Sequence, residues 1–385
     1  MRAIGKGSIL FFLAFVVAIQ PARAGIFIEK GPFPVGRFPE SIAIGDFNSD
    51  GHADLAVGLG SSASVSILLG KGDGTFGKAV DFAIGAPASS VVVADLNGDG
   101  KLDLATANGS DTSLTGNVSI LIGKGDGTFQ PAVNYGAGTQ PLSLVVADLN
   151  HDGKLDLAVA TDYLYPNSNA DVLLGNGDGT FRNAVSYPVG FRPSAVAAGD
   201  LDHDGNLDLV VANYLSQNLS ILLGNGDGTF QPQKQFRVGV GPVSLAIADL
   251  NSDGDLDVVV GIFDANGSHG GVNVLLGAGD GTFSSTKLYG SGYFVNFYSV
   301  ALGDLNGDGA LDLVTGDSLG VTILEGQGDG TFGPPRITYS LARPVPISVA
   351  LGDLNGDTVP DIAAVGFDTG AAVVLINNWR TAAFQ

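Results

Sequence analysis

The chain is 385 residues long, contains no cysteine, and has 39 acidic residues against 18 lysines and arginines, a formal net charge of −21. Without cysteine, neither disulfides nor thiolate chemistry can contribute. An acidic excess of this size argues against nucleic acid or an anionic membrane surface as a partner, while the 45% of apolar residues suffices for a large core.

The first 24 residues are predicted to be a secretory signal peptide. Arg2 and Lys6 precede an apolar run over 8–19 that is too short to span a bilayer, and Ala22 and Ala24 fit a cleavage site. We expect cleavage after Ala24 and a secreted protein, extracellular or periplasmic. No later segment offers about 18 continuous apolar residues, so no membrane span is expected.

The rest of the chain repeats one acidic nonapeptide at intervals near 50 residues. The seven copies are DFNSDGHAD (46–54), DLNGDGKLD (95–103), DLNHDGKLD (148–156), DLDHDGNLD (200–208), DLNSDGDLD (249–257), DLNGDGALD (304–312) and DLNGDTVPD (353–361). A second motif, GDGTF, occurs at 72–76, 125–129, 177–181, 226–230, 279–283 and 328–332. Such a period with short strands is typical of a β-propeller or a β-solenoid.

Each repeat unit has the pattern of four short strands. In the second unit these are expected over 89–96, 102–107, 117–123 and 128–136. β-branched residues and leucine dominate the runs, and none has a helical period. Seven such units predict an all-β fold, a seven-bladed β-propeller of four-stranded antiparallel blades. The phenylalanines of the GDGTF turns are expected to pack between blades.

The two ends of the repeated region are complementary. The last unit stops after its third strand, and residues 25–36 align with the fourth-strand segment of other units, such as 74–85. The N-terminal strand is therefore predicted to complete the last blade, which would close the ring and remove an exposed sheet edge. We expect one domain over residues 25–385, and a monomer.

These loops and turns resemble FG-GAP/VCBS-type repeats, which are related to the N-terminal seven-bladed propeller of integrin α chains. The pattern is D-x-[DN]-x-D-G-x-x-D, combined with GDGTF turns, and it covers essentially all of the chain after residue 24. The resemblance implies calcium bound in the loops, with the backbone carbonyl of the seventh position as a further ligand. It also implies an adhesion or protein-interaction role.

The acidic loops themselves predict calcium. Positions 1, 3, 5 and 9 carry carboxylate or amide oxygens, which are the ligands that calcium prefers. Asp, Asn and Gly also form turns without any metal, but seven loops with the same oxygen positions would repel strongly without a cation. We predict up to seven structural Ca²⁺ ions, bound by Asp46, Asn48, Asp50, Asp54, Asp95, Asn97, Asp99, Asp103, Asp148, Asn150, Asp152, Asp156, Asp200, Asp202, Asp204, Asp208, Asp249, Asn251, Asp253, Asp257, Asp304, Asn306, Asp308, Asp312, Asp353, Asn355, Asp357 and Asp361.

The seventh loop departs from this pattern at its sixth position. Glycine supplies the sharp turn there in the other six loops, whereas the seventh has Thr358. A non-glycine residue in the left-handed region costs about 1–3 kcal/mol. We therefore expect a distorted or weaker calcium site in this loop.

Strand direction divides the loops between two faces of the propeller. The acidic loops and the GDGTF turns should share one face, and the loops that differ between units should share the other. Variable loops on a rigid scaffold are the usual place for binding. Aromatic residues there are predicted to contact a ligand, although capping of the blade ends is an equal alternative: Tyr163, Tyr165, Tyr214, Phe263, Tyr293, Phe294 and Tyr298.

Three classes of function fit an exported propeller. The resemblance favours an adhesion or protein-interaction module with an extracellular protein partner. The alternative is a calcium-dependent lectin that binds glycans at the variable-loop face or between blades. A polysaccharide lyase-type enzyme is disfavoured, because Arg192 and Arg237 are isolated and form no basic cluster. The G-x-S-x-G match at 316–320 lies between two strand-like runs without a following helix, so we predict no enzyme.

Overall fold

The computed structural model describes residues 26–109, 116–162, 168–264, 270–289, 296–339, 346–367 and 370–379. The regular elements in these ranges are β-strands, in chain order: β1 (Phe27–Pro34), β2 (Pro39–Gly45), β3 (Asp54–Leu59), β4 (Ser64–Leu68), β5 (Val80–Ala83), β6 (Ala88–Ala94), β7 (Asp103–Asn108), β8 (Asn117–Leu121), β9 (Val133–Gly136), β10 (Pro141–Ala147), β11 (Asp156–Thr161), β12 (Asn169–Leu173), β13 (Val185–Pro188), β14 (Pro193–Gly199), β15 (Asp208–Asn213), β16 (Asn218–Leu222), β17 (Lys234–Arg237), β18 (Pro242–Ala248), β19 (Asp257–Ile262), β20 (Gly271–Gly277), β21 (Phe283–Tyr289), β22 (Phe297–Gly303), β23 (Asp312–Asp317), β24 (Gly320–Leu324), β25 (Arg336–Tyr339), β26 (Pro346–Gly352), β27 (Asp361–Gly366) and β28 (Ala371–Asn377).

The strands form seven four-stranded antiparallel sheets, which confirms the predicted seven-bladed propeller. We number the blades in chain order: β2–β5, β6–β9, β10–β13, β14–β17, β18–β21 and β22–β25 are blades 1 to 6, and β26–β28 with β1 form blade 7. The first strand of each blade lies beside the first strands of its neighbours, so these seven strands surround the axis of the ring. Among the described residues, no helix is long and apolar enough to cross a membrane.

Blade 7 takes its outer strand from the N-terminal end of the described chain. β1 pairs antiparallel with β28, from Phe27 opposite Asn377 to Pro34 opposite Ala371. β26 of this blade lies beside β2 of blade 1, and the backbone N–H of Ile42 donates a hydrogen bond to Oγ of Ser348 at 3.3 Å. Blades 7 and 1 are therefore in direct contact through their inner strands.

The core lies between neighbouring blades and is built from the second and third strands. In blade 2, β7 is buried along its whole length and β8 nearly so, because neighbouring sheets cover both of their faces. Strands of this kind have continuous apolar runs without strict alternation. The outer strand β9, by contrast, exposes three of its four residues. The apolar side chains of adjacent sheets meet in shared clusters, such as that of Ala105 with Val159 and Leu173.

The phenylalanines of the GDGTF turns pack between blades, as predicted. Each contacts an aromatic ring on the outer strand of the preceding blade, in an edge-to-face arrangement that aromatic pairs prefer. The ring centroids lie 5.1–5.6 Å apart in the six pairs Phe33–Phe76, Phe82–Phe129, Tyr135–Phe181, Tyr187–Phe230, Phe236–Phe283 and Tyr289–Phe332. The motif therefore supplies an inter-blade contact.

Candidate functional site

The acidic loops join the first and second strands of the blades, and each loop turns around the carboxylate at its first position. In the first loop, Asp46 accepts hydrogen bonds from the backbone N–H groups of Asp50 at 3.2 Å and Gly51 at 2.9 Å. Asn48 Oδ1 accepts from the Asp50 N–H at 3.0 Å, and Asp50 Oδ1 accepts from the His52 N–H at 2.8 Å. The side-chain oxygens are thus directed into the loop.

This tight turn requires a left-handed backbone at two positions. The six glycines at the sixth position have φ between 77° and 94°. The fourth position is also left-handed in all seven loops, and four of them have a residue other than glycine there. These are Ser49, His151, His203 and Ser252, with φ of 58–61°. The fourth position was missed from the sequence, because only three of the copies have glycine there to indicate it.

The seventh loop follows the same path despite its threonine. Thr358 has a φ of 69°, and its N–H donates to Oδ2 of Asp353 at 2.8 Å. Gly309 makes the same bond to Asp304 in the preceding loop at 3.0 Å. The loop therefore keeps the hydrogen bonds of its neighbours while the threonine backbone bears the strain, and a distorted or weaker calcium site there stays a prediction.

The aspartate at the ninth position holds the loop to the blade. Asp312 is fully buried; its Oδ2 accepts from the N–H of Leu305 at 3.0 Å and its Oδ1 from the N–H of Gly326 at 2.9 Å. The first donor is the second residue of the loop, and the other lies just after the third strand. The same two bonds recur at Asp54, Asp103, Asp156, Asp208, Asp257 and Asp361. This role was not evident from the sequence.

Burial raises the pKa of these ninth-position carboxyls. The pKa of Asp312 rises from 3.8 to about 6 because burial disfavours the charged form and because Asp308 and Asp304 repel it, although the two backbone donors oppose the rise. The pKa values of Asp54, Asp208 and Asp361 are also raised to about 6. A positive ion nearby would favour the charged form and lower these pKa values.

The donors in these loops fit a hard divalent cation. In the fourth loop, carboxylate oxygens of Asp200, Asp202 and Asp208 lie within 4.8 Å of one another. Oδ1 of Asp200 and Oδ1 of Asp249 are buried and accept no hydrogen bond from the described residues. A buried carboxylate oxygen without a partner is costly, and calcium prefers ligands of this kind. Positions 1, 3 and 9 thus converge, whereas Asp204 at position 5 accepts hydrogen bonds from within its loop.

Neighbouring loops are also connected to one another. The N–H of Gly127, in the GDGTF turn of blade 2, donates to the carbonyl of Phe47 in the acidic loop of blade 1 at 2.9 Å. This contact places the turns and the loops on the same face. Nε2 of His203 lies 2.7 Å from Oδ1 of Asp255 in the next loop, a hydrogen bond that raises the pKa of His203. The acidic loops of blades 4 and 5 are therefore joined directly.

The opposite face has a cavity of about 430 Å³ on the axis of the ring, which we call the axial pocket. Its floor is the second residue of each inner strand, and it is therefore formed by all seven blades: Glu40, Ser89, Leu142, Ser194, Val243, Tyr298 and Ile347. Its rim is formed by Arg192, Tyr214, Phe263 and Phe367.

Three of the aromatic residues predicted to contact a ligand meet in this pocket. The ring centroids of Tyr214 and Phe263 lie 6.3 Å apart, and those of Phe263 and Tyr298 lie 5.6 Å apart. The guanidinium of Arg192 lies 5.1 Å from the Tyr214 centroid. Phe367 also lines the pocket, although no sequence motif predicted it. The other four predicted residues, Tyr163, Tyr165, Tyr293 and Phe294, lie outside the described residues.

The G-x-S-x-G segment is a turn between strands. Ser318 lies between β23 and β24, and its Oγ accepts a hydrogen bond from the N–H of Asn296 at 3.2 Å. β24 begins at Gly320, so no helix follows the serine. The strand–turn–helix geometry of an esterase nucleophile is therefore absent at this turn.

Comparisons with known proteins give both sequence and structural matches. The model of the FG-GAP-like repeat matches six segments, 46–106, 107–159, 160–211, 204–260, 262–315 and 304–364. No curated protein sequence matches the chain significantly. A lectin from Agrocybe aegerita, solved for its specific recognition of non-reducing terminal N-acetylglucosamine, is similar with a TM-score of 0.56 and 22% identity, over 87% of each chain.

Two solved structures of BBS1N in complex with ARL6DN are also similar. For the crystal soaked with lead, the TM-score is 0.62 at 15% identity, over 91% of this chain and 96% of that one. For the crystal soaked with mercury, the TM-score is 0.62 at 14% identity, over 91% of this chain and 97% of that one. At these identities, the structural similarity establishes a shared fold.

Proposed function

Because the chain belongs to the FG-GAP-like repeat family, we propose that it is a secreted, calcium-stabilised β-propeller that acts as an adhesion or protein-interaction module. The observation that carries the interaction role is the axial pocket, where Tyr214, Phe263 and Tyr298 form a connected aromatic surface. Aromatic residues are enriched in protein interfaces. We expect no enzymatic activity.

The calcium part of the proposal is supported by the acidic loops. The converging carboxylates of the fourth loop and the unpartnered oxygens of Asp200 and Asp249 are the supporting observations. Extracellular calcium modules bind at about 10⁻⁴–10⁻³ M. At ten times the Kd, each occupied site would add about 1.4 kcal/mol to the free energy of unfolding. Millimolar calcium outside the cell would therefore stabilise the ring.

A calcium-dependent lectin is the second candidate. The pocket combines aromatic rings with the polar side chains of Glu40, Ser89 and Ser194, a mixture that suits a sugar ring with hydroxyl groups. The Agrocybe aegerita lectin adds only that this fold can host glycan recognition.

Two binding assays in calcium distinguish the candidates. A pulldown of cell-surface proteins tests the interaction module, and a glycan array tests the lectin. We expect capture of a protein that is lost when Tyr214 and Phe263 are both changed to alanine, together with a blank array. Specific glycan binding that is lost in EDTA, without any captured protein, would overturn the interaction role in favour of the lectin.

A further inference from the structure

The rim of the axial pocket differs from blade to blade, although the scaffold beneath it repeats. The residue directly after the second strand donates its N–H to the carbonyl of the residue before the first strand in five blades, for example Tyr214 to Arg192 at 2.8 Å and Gly60 to Phe38 at 2.8 Å. The side chains at this position are nevertheless different: Gly60, Gly109, Asp162, Tyr214, Phe263, Ser318 and Phe367. The fold does not require aromatic rings there, so those of blades 4, 5 and 7 serve the pocket.

Among the described residues that line this pocket, Arg192 is the one with a cationic side chain. Its backbone is left-handed, with a φ of 53°. Phe38 and Gln140, which also directly precede the first strand of a blade, have left-handed φ values of 54° and 43°. This conformation is therefore a feature of the repeated fold and is not specific to Arg192. Its side chain is exposed and lies over Tyr214. Among the described residues, no carboxylate lies within salt-bridge distance of its guanidinium, although Asp162 of the neighbouring blade interacts with it electrostatically. In a chain with a net charge of −21, this arginine is placed to bind an anionic group from outside.

The surroundings of Arg192 are mostly apolar. The floor residues of its own blade and of the two neighbouring blades are Ser194, Leu142 and Val243. On the same face, Leu215 is 61% exposed and Phe367 is 44% exposed. This exposed apolar surface continues outward from the pocket. Surfaces of this kind are typical of interaction sites, which favours a macromolecular partner over a small molecule.

We propose that the axial pocket binds the carboxyl terminus of a partner polypeptide whose last residue is aromatic or large and aliphatic. Arg192 binds the terminal carboxylate in the bidentate manner that guanidinium groups favour. The last side chain packs against Tyr214, Phe263 and Tyr298. Glu40, three blades around the ring, lies on the far side of the pocket from Arg192. This inference rests on the proposed interaction function and names the group that is recognised.

Two other anionic ligands fit the pocket less well. An internal Asp or Glu of a partner would bring a carboxylate without an apolar side chain from the same residue. An acidic sugar bound at Arg192 would place hydroxyl groups against Leu142 and Val243, away from Glu40 and Ser89 across the ring, so these hydroxyl groups would lose hydrogen bonds to water without replacement. A C-terminal residue offers the carboxylate and the apolar group together.

Calorimetry in millimolar calcium tests the proposal on the unmodified protein. The probes are the peptide N-acetyl-Gly-Gly-Phe with a free carboxylate, the same peptide as its carboxamide, and N-acetyl-Gly-Gly-Ser. We expect the first to bind, and the other two to bind at least about tenfold more weakly, since a hydrogen-bonded charge or a buried aromatic ring each contributes more than about 1.4 kcal/mol. Equal binding of acid and carboxamide, or no binding of the acid, would overturn the proposal.

Two variants locate the site. Arg192→Gln should weaken binding of the free acid about tenfold or more, whereas Arg237→Gln, on the outer strand β17, should leave it unchanged. Binding that survives Arg192→Gln, or glucuronic acid that competes with the same Arg192 dependence, would refute the peptide terminus as the occupant. A protein captured in the pulldown by a surface other than this pocket would overturn only the present inference and leave the interaction role standing.

Discussion

The aspartate at the ninth position of each acidic loop combines a structural contact with a candidate metal-binding one. Each carboxylate oxygen of Asp208 accepts a hydrogen bond from a backbone N–H group. One of its oxygens also lies within 4.8 Å of carboxylate oxygens of Asp200 and Asp202. Without a cation, burial and the charges of Asp202 and Asp204 disfavour the charged form of Asp208, and its pKa rises to about 6. A cation would make the charged form the stable one.

The pH dependence of stability between about pH 4 and 6 should therefore change sign with calcium. In EDTA, the raised pKa of Asp54, Asp208, Asp312 and Asp361, about 6 against 3.8, means that the folded state binds more protons than the unfolded state. Their contribution to stability is fully present below the unfolded pKa and is lost as the pH rises through the folded pKa. In calcium, protons compete with the ion, so stability falls as the pH drops.

Urea unfolding at pH 4 and pH 6, with calcium and with EDTA, measures both slopes. The GDGTF aspartates do not obscure the result, because hydrogen bonds from Thr128 lower the pKa of Asp126 below 3.8, and the corresponding turns behave in the same way. The same slope in calcium and in EDTA would count against the account.

Thr358→Gly should stabilise the protein in calcium. Its φ of 69° costs about 1–3 kcal/mol for a residue with a side chain. The substitution removes this strain, but glycine has more freedom in the unfolded state, which reduces the gain by about 0.4–1 kcal/mol. We expect the free energy of unfolding to rise by about 1 kcal/mol in urea titrations.

The matched control is Gly309→Thr in the preceding loop. An added Cβ at Gly309 would meet no atom within 4 Å, so the change tests backbone strain alone. It should lower the free energy of unfolding by about 1–2 kcal/mol. If neither variant shifts the unfolding curve, strain at the sixth position is not what distinguishes the seventh loop.

The number and order of the strands were predictable from the repeats, but their ends were less so. The fourth strand of blade 2 was expected from residue 128, whereas β9 begins at Val133. Between them, Phe129 forms only an isolated bridge to Gly123, because its ring turns inward to pack between blades. The alternation pattern indicates strand-like residues, but it does not show where a side chain leaves the sheet to fill a gap.

Asn377 shows how blade 7 replaces a missing turn. In other blades, a glycine N–H of the GDGTF turn donates to the acidic loop of the preceding blade, as Gly281 does to Leu201 at 2.9 Å. Blade 7 has no GDGTF turn, and Nδ2 of Asn377 donates to the carbonyl of Leu305 instead, at 2.8 Å. Nothing in the local sequence marked this residue, because its role depends on a contact between distant segments.

Asn377→Ala should therefore destabilise the junction between blades 6 and 7. Asn377 is only 2% exposed, and its loss removes the donor to Leu305 and to the carbonyl of Pro360 at 3.0 Å. Leaving buried carbonyls unpaired costs about 1–3 kcal/mol. Asn225→Ala, at an exposed turn, should stay within about 0.5 kcal/mol. Equal effects of the two variants in urea unfolding would show that the amide of Asn377 does not hold the junction.

At the scale of the whole molecule, the two faces of the ring have opposite characters. One face repeats an acidic loop in every blade, and up to seven divalent ions there would offset about two thirds of the formal charge of −21. The other face has an axial pocket whose rim changes from blade to blade. The repeat predicted the acidic loops and GDGTF turns of the first face, but not the contacts of its ninth-position aspartates with the blades. It could not predict the second, because Arg192 and Phe367 follow no period and meet only in the folded ring.

Thermal unfolding in millimolar calcium and in excess EDTA tests the central claim most directly, which is that calcium in the acidic loops holds the propeller together. If seven sites each add about 1.4 kcal/mol, about 10 kcal/mol together, the melting temperature should fall by about ten degrees in EDTA, since about 1 kcal/mol corresponds to roughly 1.3 °C at an unfolding entropy of about 2.1 cal/mol/K per residue over about 360 residues. Added calcium should restore it. A melting curve that is the same in calcium and in EDTA would contradict the account.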